Sequence, residues 1–250
     1  MSSFKMLRVF GTAMLVLALS LFGVDWSRAQ VRPTANDLAV LVAIPDVGEW
    51  SEAAGNDQDV MEKTLLKKGL PSERIMKLRG RIAKTALLEF LRDAAERTKD
   101  WKDGSVFVHF SCSGHHENRQ KAGIELPGQD PKFATWAEIL ATLKVPVGVR
   151  VILVPDCCYS NLLDGQLPDH VSALVLKAKP NTTVCTAENR WFAIDGKKTS
   201  HGVITHYASQ ALLESETMDQ WLRITTLLSR ETHPNLLKVV GDPKRKILAN

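Results

Sequence analysis

Leu38-Ala-Val-Leu-Val-Ala-Ile44, closed by Pro45, is an unbroken apolar run. A strand with one wet face alternates apolar and polar residues, so a continuous run of this length predicts a strand buried on both faces. Strands of that kind belong to parallel sheets with helices packed above and below. The residues that follow supply those helices. From Asp57 to Lys68 the apolar positions Val60, Met61, Leu65 and Leu66 recur at helical spacing, and Gly69 stands where a helix stops. A short strand is predicted around Ile75. A second helix is predicted from about Thr85 to Thr98, with Leu87, Leu88, Leu91 and Ala94 on one face.

The alternation continues to the C-terminus. Val106–Phe110, Val149–Val154 and Thr182–Thr186 read as strands, while Trp136–Leu143, Val203–Leu213 and Gln220–Arg230 read as helices. Strands alternating with helices imply parallel pairing through helical crossovers. The predicted fold class is α/β, a single doubly wound, mostly parallel sheet with helices on both faces. With no repeat and no Ser- or Pro-rich linker, one domain spans residues 38–240, preceded by a leader at 30–37 and followed by a tail from Gly241 to Asn250 that is expected to be loose.

Composition narrows the partners. The 250 residues carry 32 Lys plus Arg against 28 Asp plus Glu, and 44% are hydrophobic, which is the make-up of a packed chain rather than a disordered one. The net charge of +4 is small and the basic residues are scattered, so no nucleic-acid footprint is present. At the N-terminus, Lys5 and Arg8 precede an apolar run from Val9 to Val24, and Ser27-Arg28-Ala29 offers small residues for cleavage. That run is shorter than the roughly 20 residues that span a bilayer, so residues 1–29 are predicted to be a signal peptide and the mature chain to be exported, periplasmic or secreted, without a stable membrane span.

Ligands bind open parallel sheets outside the carboxyl ends of the strands. Two predicted strands run there into reactive residues: Phe110-Ser-Cys-Ser-Gly-His-His116 and Val154-Pro-Asp-Cys-Cys-Tyr-Ser160. If they are parallel neighbours, a histidine and a cysteine face one another at one edge. Thiol chemistry needs such a pair, because the thiolate is the nucleophile and a free cysteine is mostly protonated at neutral pH. Cys157 and Cys158 point oppositely along a strand, so one of the two reaches the site.

At these residues the chain resembles the caspase-like cysteine peptidases of clan CD, most closely the metacaspase and orthocaspase branch. Ser113-Gly114-His115 and Asp156-Cys157-Cys158-Tyr159-Ser160 match the family's histidine and cysteine motifs in order and in strand context. Gly55-Asn56-Asp57 resembles its Gly-x-x-Asn-Asp region, and His201-Gly-Val-Ile-Thr205 the segment that opens its last core helix. The resemblance covers about residues 38 to 215. It implies an endopeptidase in which Cys158 attacks the peptide carbonyl and His115 protonates the leaving amine. The backbone N–H groups of His116 and Cys158 form the oxyanion hole, and Asp57, Ser113 and Asp156 bind an Arg or Lys side chain before the cut. Many relatives use calcium, but the region beyond the histidine offers only Glu117, Glu125 and Asp130, thin for a hard cation. No cofactor is expected, and calcium is left open.

The chain departs from the family at three positions: His116 and Asn161 replace glycines and Tyr159 a histidine. Other readings stand beside the peptidase. A caspase-fold interaction module without activity would carry such altered neighbours. A nucleotide- or flavin-binding protein would need a Gly-rich turn that Ile44-Pro-Asp-Val-Gly48 lacks. His116 is an alternative base, Asp57 an alternative helix cap, and His109 a structural residue of its strand. Cys112 and Cys185 are small core hydrophobes or disulfide partners, with pairing among Cys112, Cys157 and Cys185 open. A metal held by His115, His116 and Cys158 lacks a fourth ligand at diagnostic spacing. On the export expectation, N-terminal sequencing of the exported protein reads Gln30 first; an intact Met1 overturns it.

Overall fold

The structure, a computed structural model, describes residues 36–45, 52–177, 189–194, 197–229 and 237–248. Its elements in chain order are β1 (Asp37–Ala43), α1 (Ala53–Lys67), β2 (Ile75–Arg79), α2 (Lys84–Glu96), β3 (Gly104–Ser111) and β4 (Gly114–His116). Next come β5 (Ala122–Glu125), β6 (Phe133–Thr135), α3 (Trp136–Thr142), β7 (Val149–Asp156) and β8 (Val171–Leu176). The chain closes with β9 (Asn189–Ile194), β10 (Lys197–Gly202), α4 (Val203–Leu212), α5 (Met218–Ser229) and β11 (Leu237–Val240).

Six strands form one sheet in the order β11-β8-β7-β3-β1-β2. Every pair is parallel except the edge pair β11–β8. The doubly wound, mostly parallel α/β fold read from the sequence is therefore present. The chain leaves β1 toward β2 on one side and later returns to pair β3 on the other, so the strand order reverses at β1. Loops on the carboxyl side diverge at such a point and leave a crevice. Two smaller antiparallel sheets, β4-β5-β6 and the hairpin β9–β10, lie outside the main sheet in sequence order.

Strand side chains alternate between faces, and β3 illustrates how this sorts the core. Phe107 meets Trp221 of α5, ring centroids 5.9 Å apart, in an apolar layer that also holds Met61 and Leu65 of α1 and Ile204 and Ala208 of α4. Val106, Val108 and Phe110 point the other way. There Phe110 meets Trp136 of α3 edge-on at 5.9 Å, among Leu87 and Leu91 of α2. Helices thus cover both faces, as the unbroken apolar strands require.

Several elements differ from the sequence reading. Helix α1 begins at Ala53 rather than at Asp57. The place beside β7 is taken by β8, over Val171–Leu176, which the sequence reading left unassigned; the predicted strand at Thr182–Thr186 lies outside the described residues. The tail is not loose through Leu248: Ile247 and Leu248 are buried, Thr217 bridges Lys246, and the Ile247 N–H donates to the Glu216 carbonyl at 2.8 Å. The predicted signal peptide, residues 30–35 of the leader and Cys185 lie outside the described residues; Asp37, read as the last residue of the leader, opens β1. Among the described residues no helix is long and apolar enough to cross a membrane.

Leu91 is wholly buried between α2 and the sheet. Leu91→Ala is expected to cost about 2–5 kcal/mol, read as a lower denaturation midpoint with an unchanged slope.

Candidate active site at the carboxyl edge of β3 and β7

Strands β3 and β7 pair in register from Gly104↔Val149 to Ser111↔Asp156. Both predicted motifs therefore leave the sheet side by side. The pairing carries one step beyond the strands, where the Cys112 N–H donates to the Asp156 carbonyl at 3.3 Å. Past it, β4 turns back over the end of β7. A Cβ built on Gly114 would lie 1.9 Å from the Cys158 carbonyl oxygen and 3.0 Å from its Cα. Only glycine permits that approach, so the residue before His115 rests directly on the backbone of Cys158.

His115 is held by its ring. It stacks on Phe133 with centroids 4.0 Å apart and planes 10° from parallel, and its Nε2 faces Glu117 Oε1 at 3.7 Å. Phe133 is fixed at the corner from β6 into α3, where Thr135 and Glu138 form a reciprocal capping box. His116 stacks on Tyr159 at 5.1 Å, a second contact between the two motifs.

Neither His116 nor Asn161 has a backbone conformation that needs glycine. His116 lies in extended β4 and Asn161 in a 3-10 turn, Ser160–Leu163; the one non-glycine residue with positive φ among those described is Tyr159, at φ 61°. Glycine is not demanded where the family has it. In the β4–β5 ladder the Glu125 N–H donates to the Ser113 carbonyl, so alternation makes Gly114 and His116 non-hydrogen-bonded positions opposite Ile124 and Ala122. Their N–H groups point away from β5, toward the open edge of that sheet. The His116 N–H is thus left out of the β4–β5 ladder.

Cys157 and Cys158 separate as alternation predicts. Cys157 is fully buried among the apolar residues against α2 and α3, and burial pushes its thiol well above the usual range. Cys158 is partly exposed. Of the two neighbours, Cys158 is the one open to solvent.

The acids come together on the opposite face. Asp57 sits in the second turn of α1, wholly buried, and the helix carries no side-chain cap, so the capping role weighed for it does not hold. Asn56 and Gln58 lock this turn: Asn56 Nδ2 donates to the Ser200 carbonyl at 2.9 Å, and Gln58 Nε2 to the carbonyls of Leu41 and Leu78 at 2.8 and 3.0 Å. Asp57 accepts from Ser111 Oγ at 2.7 Å, His201 Nδ1 at 3.0 Å and the Gly202 N–H at 3.0 Å. Asp156 Oδ2 accepts both the backbone N–H and the hydroxyl of Thr205, each at 2.7 Å. A Cβ on Gly202 would lie 2.2 Å from Asp156 Oδ2 and 2.8 Å from Asp57 Oδ2, so the two carboxylates flank one point that only glycine leaves clear.

Burial raises both acids, and for Asp156 the neighbouring Asp57 adds to burial to push it up to about 7. Among the described residues no Lys or Arg forms an ion pair with either; the His201 ring is Asp57's cationic partner when protonated. Two adjacent buried carboxylates with so little counter-charge favour a proton or a bound cation.

Sequence reasoning named Asp57 and Asp156 and missed the residues that hold them. The serine bonded to Asp57 is Ser111; Ser113 is half-buried in the link between β3 and β4. His109, read as structural, extends the network: its Nε2 lies 2.8 Å from Thr205 Oγ1. Because that hydroxyl donates to Asp156, the His109 ring must donate to it through Nε2, and burial keeps the ring neutral by lowering it to about 3. The signal was alternation, since His109 and Ser111 share the strand face of Phe107, and Ser111 is itself the in-register partner of Asp156. Among the described residues no cluster of His, Cys, Asp and Glu has the arrangement of a metal site.

In comparisons with known proteins, no protein-family model matches the chain, and no curated protein matches it.

A carboxyl group raised in the folded state binds its proton more tightly folded than unfolded, so it lowers stability as pH climbs from about 4 to about 7 and the penalty is complete above that. Asp156→Asn keeps the shape and removes the charge. It is expected to raise the melting temperature at pH 8, with the gain over the parent shrinking toward pH 5. An equal shift at both pH values would mean the carboxylate carries no such penalty.

Proposed function

We propose that this chain is a cysteine endopeptidase of caspase-like type that cuts after Arg or Lys, with Cys158 as nucleophile and His115 as its acid and base. One observation carries the reading: Gly114 packs on the backbone of Cys158, which joins the histidine and cysteine motifs at the carboxyl edge of neighbouring parallel strands. The resemblance at Ser113-Gly114-His115 and Asp156-Cys157-Cys158 supplies the roles.

In the reaction, the Cys158 thiolate attacks the scissile carbonyl carbon, and the carbonyl oxygen takes the negative charge. The N–H groups of Cys158 and His116 receive it, each such donor being worth about 3 kcal/mol in comparable acyl-transfer sites. The C–N bond then breaks as His115 gives its proton to the leaving amine, leaving a thioester on Cys158. Water, deprotonated by His115, attacks the thioester and releases the acid and the thiol. Stacking on Phe133 opposes rotation about the Cβ–Cγ bond and so holds the imidazole in one orientation, which suits a group that must pass a proton at a fixed place.

Specificity follows from Asp57 and Asp156. A guanidinium or ammonium replaces the proton that two adjacent buried carboxylates otherwise hold, whereas an acidic side chain adds a third negative charge. The N-terminal signal reading, which lies outside the described residues, puts the activity outside the cytoplasm.

Short peptides differing only in the residue before the cut test this reading on the full mature chain. Cys158→Ala and His115→Ala are each expected to lower kcat/KM by about 1000-fold or more, while Cys157→Ala stays within several-fold of the parent. Turnover surviving in Cys158→Ala overturns the nucleophile, and death of Cys157→Ala alone overturns the register. For Arg peptides KM is expected to rise as pH falls through about 7, where Asp156 gains its proton. Asp156→Asn is expected to lose about 100-fold or more in kcat/KM and to flatten that pH dependence. Preference for Asp, or indifference to charge, overturns the pocket. Absence of hydrolysis across the panel leaves the inactive caspase-fold module as the reading.

A further inference from the structure

The register that brings the acids together has a counterpart on the other face of the sheet. Ser111 and Asp156 are in-register partners, and both point toward α1 and α4. One step further, alternation turns Cys112 and Cys157 toward α2 and α3, where both pack in the same apolar layer. The backbone bond from Cys112 N–H to the Asp156 carbonyl keeps the pairing intact at this step. The two side chains are close enough to act on one another, and both residues are thiols in the structure.

We propose that Cys112 and Cys157 form a redox-active pair that closes to a disulfide across the ends of β3 and β7, beneath the reactive edge and separate from Cys158. In-register residues of neighbouring strands sit about 4.8 Å apart at Cα, inside the roughly 4.4–6.8 Å that disulfides span. Geometry therefore asks for rotation about the two Cα–Cβ bonds and little backbone movement.

The pair is asymmetric, which sets the order of events. Cys112 is the more exposed and meets a peroxide first, whereas Cys157 is fully buried and shielded from reagents in solution. The Cys112 thiol takes one oxygen from hydrogen peroxide to become a sulfenic acid, with water released. The Cys157 sulfur then attacks the Cys112 sulfur, the S–O bond breaks and a second water leaves. In balance, two thiols are oxidised by two electrons and one peroxide is reduced to two waters. Burial disfavours the Cys157 thiolate, so the closing step is expected to quicken between pH 7 and pH 9.

The bridge closes a loop of about 45 residues that contains β4, β5, β6, α3 and β7. It fastens together the two strand ends that carry His115 and Cys158. The Cys158 side chain leaves the chain one residue later and takes no part in the bond, so the pair is a device of the sheet and its readout does not depend on the peptidase reading.

The experiment oxidises the full chain with hydrogen peroxide, blocks remaining thiols and maps the cross-linked peptides by tandem mass spectrometry. Cys158→Ser is run in parallel so that the vicinal cysteines are distinguished. The expected result is a Cys112–Cys157 linkage in both proteins, its loss in Cys112→Ser, its reversal by dithiothreitol, and a melting temperature raised by roughly 5–10 °C on oxidation. Linkage of Cys112 to Cys158 or Cys185, or Cys112 passing to sulfinic acid while Cys157 remains alkylatable after unfolding, overturns the proposal. Failure of the untreated, reduced chain to hydrolyse peptides, with the linkage forming on oxidation, overturns the peptidase reading alone.

Discussion

The parallel, in-register pairing of β3 with β7 is the constraint on which the rest of the site depends. Its last pair, Ser111↔Asp156, fixes everything beyond it by the two-residue period of a strand. Asp156 faces α4 because Ile152 and Val154 do, and Cys157 faces α3 because Val151 and Leu153 do. A slip of one residue would exchange the faces. It would bury the carboxylate among leucines and present the thiol of Cys157 to Thr205, so the apolar alternation of the whole strand protects the site geometry.

Two adjacent acids in a closed space are expensive, and the donors around them show how the cost is offset. Asp57 takes three hydrogen bonds, from Ser111, His201 and Gly202, and Asp156 takes two from Thr205. Such bonds compensate in part for lost hydration, yet the direction for both acids remains upward because burial outweighs them. No stabilising purpose requires this arrangement, since uncharged residues of similar shape would satisfy the same donors. Buried charge retained against its own stability is characteristic of a site rather than a core.

Much of this was legible in the sequence because the local and global signals agree. Continuous apolar runs gave β1, β3 and β7 their buried character, and helical spacing located α1 through α5 to within a few residues. The motifs at strand ends singled out His115, Cys158 and Asp156, and the stretch Gly55-Asn56-Asp57 singled out Asp57; the structure brings Asp57 and Asp156 side by side. What escaped detection is of two kinds. Short antiparallel strands such as β4, β5 and β6 have three or four residues each and too few alternations to announce themselves, and β8 was obscured by the polar turn before it. The supporting residues escaped because their meaning is tertiary: nothing near His109 in the chain indicates Thr205, and nothing near Gly202 indicates that two carboxylates close upon it.

Tyr159 makes the same point about strain. A bulky residue in the left-handed region costs on the order of 1 kcal/mol or more, and it persists only where its surroundings over-determine it. Here they do. The Tyr159 ring stacks on His116, its carbonyl accepts the Leu162 N–H at 3.0 Å, and the next residue, Ser160, is buried with its hydroxyl accepting the Leu176 N–H at 3.2 Å. The turn is therefore fastened to β4 on one side and to β8 on the other. Cys158, immediately before it, inherits both attachments: the left-handed turn stops β7 from continuing as a strand and leaves the residue at the edge of the sheet. An aromatic contact to the segment that carries His115 thus supplies the restraint on this bend.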